Sequence, residues 1–126
     1  MNKLLAASII TMALTSGAGA IDFATKFTQL DGTPFLDANG KQDDKPATLG
    51  TVAINALLAN YPDEQSLAAE EKVKRFVLAE KIQLHPTDAM INVDDIALIK
   101  KLIAKSYPSL VVGQAWRILD PASVPK

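Results

Sequence analysis

Cysteine is missing from this 126-residue chain, and histidine occurs once, at His85. No disulfide framework is available, and a zinc site of ordinary composition cannot be assembled within one chain. His85 sits just before Pro86 with no oriented partner signalled nearby, so it reads as a helix-end residue and not as a general base. The G-x-S-x-G, P-loop and G-x-G-x-x-G patterns are absent too. No catalytic residue, cofactor site or small-molecule site is therefore expected. Net charge is −1 and no polybasic block occurs, which weighs against nucleic acid as a partner.

Long hydrophobic runs are lacking as well. The most continuous apolar-and-small stretch, Leu4 to Leu14, falls short of the roughly 20 residues a spanning helix needs, so no stable membrane span is expected. Preceded by Lys3 and followed by Ala18-Gly19-Ala20, it has the charged, apolar and small-residue order of a secretory leader. Residues 1–20 are thus read as signal-peptide-like, with a mature chain from Ile21. A cleaved leader implies a periplasmic or secreted protein; a retained one implies host cytoplasm or virion.

The 106 residues that follow suffice for one domain. They carry 12 basic and 14 acidic side chains, with the acids concentrated toward the N-terminal half. Acidic turns and helices of mixed charge account for that distribution.

The pattern predicts a mainly α fold: a short N-terminal β-hairpin followed by a compact bundle of four helices. Residues 21–47 hold the hairpin and a polar loop, 48–120 the helical domain, and 121–126 a loose tail. The hairpin is expected over Phe23 to Leu36, because Asp31-Gly32 lies between apolar residues and favours a type I′ turn. Pro34 must then sit at an edge or a strand start. A second turn is signalled at Asn39-Gly40, inside the solvated stretch from Asp37 to Pro46.

The first helix is expected from about Leu49 to Asn60, capped by Thr48 and stopped by Tyr61-Pro62. Apolar on most sides, it should be the most buried. The second follows Ser66 and runs to about Gln83, with one apolar stripe of Ala69, Val73, Phe76 and Val77 and a second ridge of Leu78 and Ile82. Glu70 with Lys74 and Glu71 with Arg75 are i,i+4 pairs in the favourable order. The third follows Asn92, turns Ile96, Ile99, Leu102 and Ile103 inward, and closes at Tyr107-Pro108. The fourth spans about Ser109 to Leu119 and is again apolar on most sides.

An acidic loop invites a calcium reading. Counted from Asp37, however, Gly40 falls at position four and Thr48 at position twelve, so the EF-hand requirement for Gly at six and Glu at twelve fails. A different signal comes from the last helix, where Gln114, Trp116 and Arg117 lie together. Tryptophan and arginine are enriched at binding hot spots, and two helices apolar all round exceed what so small a domain buries internally. These three residues are the candidate interface, and the expected partner is a protein or a second copy of the chain.

Five segments carry a resemblance across residues 22–120. They are Asp31-Gly32-x-Pro34, the run from Thr48 to Ala59, Glu71 to Phe76, Ile96 to Leu102, and Val112 to Trp116. Together they resemble small helical proteins encoded by tailed phages and prophages. These are packing motifs, so the resemblance implies a context and transfers no functional residue. The leader departs from that pattern, since those proteins begin near the position of Ile21. Two classes of function follow. One is a non-enzymatic phage-type structural or assembly protein that works through an apolar helical face. The alternative is an exported periplasmic binding or inhibitor protein.

Overall fold

The computed structural model describes residues 21–35 and 46–125. The leader-like segment, most of the polar loop and the Asn39-Gly40 turn lie outside the described residues. The protein is mainly helical. Among the described residues there are four helices, α1 (Leu49–Leu58), α2 (Ala69–Leu84), α3 (Val93–Ser106) and α4 (Ser109–Leu119), with short 3-10 turns at Pro62–Glu64 and Pro121–Ser123.

Local chemistry sets most of these boundaries. The Thr48 hydroxyl accepts from the Thr51 amide at 3.1 Å and caps α1. Asn92 caps α3 in the same way, its Oδ1 accepting from the Asp95 amide at 2.8 Å. No side chain caps α2, but Glu70 and Glu71 in its first turn favour the positive end of the helix dipole. Helix α1 ends at Leu58, two residues short of the expected Asn60: the backbone already turns extended at Ala59 (φ −71°, ψ 156°), and Tyr61, before Pro62, is extended as well (φ −115°, ψ 127°).

Helix α1 packs against both α2 and α3, and α3 packs against α4. The core is drawn from all four helices, with Val52, Ile82, Ile99, Leu102, Ile103 and Val111 among its fully buried side chains. Phe23 and Phe27 of the N-terminal segment join it, at 0% and 1% exposure. That segment also completes α1. The free amides of Leu49 and Gly50 donate to the carbonyls of Thr25 (2.9 Å) and Phe23 (2.7 Å), which satisfies donors that every helix start leaves open. Gly50 permits this approach, since a Cβ there would stand 3.1 Å from the Phe23 carbonyl oxygen.

Between Thr28 and Pro34 the chain reverses. These two residues form an isolated antiparallel bridge, Gln29 donates to the Thr33 carbonyl at 2.7 Å, and no strand forms among the described residues. The expected hairpin runs past Phe35 and so ends outside those residues. The turn is not the type I′ that Asp-Gly favours, which needs two positive φ angles. Gly32 alone has one (φ 90°), and Asp31 instead accepts from the Thr33 amide and hydroxyl at 3.0 and 2.7 Å.

In helix α2 the sequence offers two apolar rows without choosing between them. Of its two apolar rows, Leu78 and Ile82 are buried, together with Ala79 and Arg75. The stripe of Ala69, Val73, Phe76 and Val77 faces outward. A helix packed on one side buries one row only, and Arg75, held by Glu64, lies on the buried side with Leu78 and Ile82. Of the two expected i,i+4 pairs, Glu71 and Arg75 meet at 3.6 Å, whereas no Glu70–Lys74 ion pair forms.

Candidate functional site

Gln114, Trp116 and Arg117 come out in three different environments. The Gln114 amide acts as a surrogate backbone: its Oε1 accepts from Thr28 N–H at 3.0 Å and its Nε2 donates to Thr28 C=O at 2.7 Å. It pins the N-terminal turn to α4. Trp116 is half-buried, its indole N–H donates to the Lys100 carbonyl at 3.1 Å, and the Lys100 ammonium lies 4.3 Å above its ring. Lys100 in turn binds Asp120 at 2.8 Å, so this cluster ties α3 to the end of α4. Arg117 is exposed, with no side-chain hydrogen bond or ion pair among the described residues. Replacing Gln114 by Ala removes both bonds to Thr28 and is expected to lower stability by about 1–2 kcal/mol at the usual net worth of a hydrogen bond. Urea unfolding measures this directly.

A hollow of about 340 Å³ opens beside Arg75, lined also by Leu57, Tyr61, Glu64 and Lys72. Its chemistry is already spent within the protein. Arg75 makes a paired contact with Glu64, Nη1 to Oε1 at 2.8 Å and Nη2 to Oε2 at 3.1 Å, and its Nε lies 3.6 Å from Glu71. Lys105 meets Asp63 at 3.0 Å and Glu64 at 3.4 Å, and its ammonium lies 4.6 Å over the Tyr61 ring. The Tyr61 hydroxyl bonds the Ala56 carbonyl and the Ser106 hydroxyl. This network clamps the end of α1, the 3-10 turn, α2 and α3. It leaves no net positive charge for an anion.

The clamp has a pH signature. The hydrogen bonds from Arg75 hold the Glu64 carboxyl well down, from an ordinary 4.5 to about 2, with Lys105 adding to the effect. In the unfolded chain that carboxylate takes up its proton near 4.5. The stabilisation is therefore present above that pH and drains away as pH falls toward 2. Glu64→Gln is expected to flatten this acid limb in unfolding curves taken between those two values.

His85 caps the end of α2, exposed, with Nδ1 3.4 Å from Asp88. Among the described residues no group of three or more potential ligands converges as a metal site. The Asp37–Asp44 stretch lies outside them.

What the molecule presents to its surroundings is the outer face of α2. Val73, Phe76 and Val77 are 59%, 56% and 49% exposed, consecutive on one side of the helix, and Leu84 continues the row at 67%. Isolated exposed apolar residues are ordinary on protein surfaces, but a contiguous row is not. Periodicity located this row and could not tell that it faces out. No helix among the described residues is long and apolar enough to cross a membrane. No protein-family model, no curated protein and no solved structure matches the chain.

Proposed function

We propose that this chain is a non-enzymatic structural or assembly protein of the phage and prophage type, acting by protein–protein contact through an apolar helical face. The observation that carries the reading is the outward row Val73–Phe76–Val77 on α2. Covering what remains exposed of three such side chains is worth about 1 kcal/mol each, since each is already about half covered, and nothing among the described residues covers them further. The motif segments given above supply the phage context. In this reading the four helices form a compact bundle, with the N-terminal segment from Phe23 as a hairpin strap, and the exposed Arg117 beside Trp116 offers a second, smaller contact.

The test is association in the cell that carries the gene. The intact chain should co-purify with virion or tail-assembly components, and Phe76→Asp, an exposed substitution, should abolish this with helicity unchanged. A strict monomer that binds none of them contradicts the reading.

The order of residues in Met1–Ala20 favours a second reading, an exported periplasmic binding or inhibitor protein. It requires a periplasmic species whose mass corresponds to a start at Ile21. Recovery of protein with Met1 intact removes it.

A further inference from the structure

We propose that the outer face of α2 is covered by the same face of a second copy of this chain, packed antiparallel across a two-fold axis. The proposal rests on the reading of this face as an association surface and names its occupant. At about 100° per residue, the face is centred on Val73, Glu80 and Leu84. Ala69, Phe76 and Lys72 lie to one side, and Val77, Glu70 and Lys81 to the other. All of these side chains are exposed. Glu70, Lys72 and Glu80 have no ion pair or side-chain hydrogen bond among the described residues, and Lys81 has only a 3.4 Å contact to the Met90 carbonyl.

The placement of these charges favours an antiparallel pair. A parallel pair crossing at Phe76 would turn the near-central Glu80 of one copy toward Glu80 of the other. An antiparallel pair crossing between Phe76 and Val77 brings Glu80 beside the second copy's Lys72, and Glu70 beside its Lys81. A two-fold axis lying in the contact plane keeps each side of the face with its own counterpart, so each ion pair forms twice, as an isologous interface requires. The same crossing stacks the two Phe76 rings near the axis and sets Leu84 over the second copy's small Ala69. One helix pair is a contact at the low end of interface sizes. The dimer is therefore weak and concentration-dependent.

Sedimentation equilibrium of the full chain, from about 1 to about 500 µM, tests this through mass action. The wild type should pass from monomer to dimer, and Phe76→Asp should stay monomeric with unchanged circular dichroism. Glu80→Lys and Lys72→Glu should each weaken the dimer about tenfold, since two attractive pairs become two repulsive ones. The double variant should regain most of that loss. A wild type that stays monomeric throughout overturns the proposal, as does a dimer that survives Phe76→Asp. A double variant no better than the singles rules out the antiparallel arrangement. If the chain is monomeric but Phe76→Asp still abolishes binding to virion or tail-assembly components, the second copy is excluded and the association reading stands.

Discussion

Arg75→Ala should lower the stability of this protein by about 3 kcal/mol, although the substitution lies on a helix and removes a charge. Arg75 is 5% exposed, and the Glu64 side chain it clasps is 13% exposed. Taking away one member of a buried pair leaves the other desolvated and unmatched, which costs about 3–5 kcal/mol. Lys105, 3.4 Å from Glu64, compensates in part and places the effect at the lower end. Replacing both partners by apolar side chains should recover much of the loss, because desolvating an ion pair offsets most of its attraction. Urea unfolding of Arg75→Ala, and of Arg75→Met combined with Glu64→Leu, separates these two effects. A single variant as stable as the wild type would show that the clamp contributes nothing.

Phe23→Ala is expected to be at least as severe, at about 3–5 kcal/mol for a buried phenylalanine. Phe23 is fully buried, its amide donates to the Pro86 carbonyl at 2.6 Å, and its carbonyl accepts from Gly50 at 2.7 Å. A cavity there loosens the strand of chain that completes the start of α1 and meets the loop after α2. Leu30→Ala, in the same segment but 96% exposed, should change stability by less than about 0.5 kcal/mol. The contrast shows that the N-terminal segment belongs to the core at particular residues and not along its length.

The helices were legible because their signals are local. Thr48 and Asn92 announce caps, Tyr61-Pro62 and Tyr107-Pro108 announce stops, and the inward row of α3 follows its periodicity, with Ile99, Leu102 and Ile103 all fully buried. What the sequence did not disclose rests largely on long-range contact. Nothing near Phe23 in sequence says that it enters the core beside Gly50. In α2, two apolar rows compete, and the local sequence does not say which one meets α1; Leu78 and Ile82 do, beside an Arg75 whose partner Glu64 lies eleven residues earlier and outside the helix.

The candidate site divides the same way. Trp116 and Gln114 were singled out by residue type, and their side chains hold α4 to Lys100 and Thr28. The exposed row on α2 was visible as a stripe, but its outward direction is set by the packing of the opposite row, Leu78 and Ile82, in the core. A partly informative sign was present in the charges: Glu70, Lys72 and Lys81 border that stripe and Glu80 lies within it, where a core-facing row would carry no charge at its centre.

The central claim, that α2 meets a protein through its outer face, is tested most directly by a photo-crosslinking residue at position 76 of the full chain, compared with the same residue at position 30. The account predicts a covalent adduct from position 76, lost when Val73 and Val77 are replaced by Asp, and none from position 30, which is more exposed still. Adducts at both positions, or at neither, would contradict it.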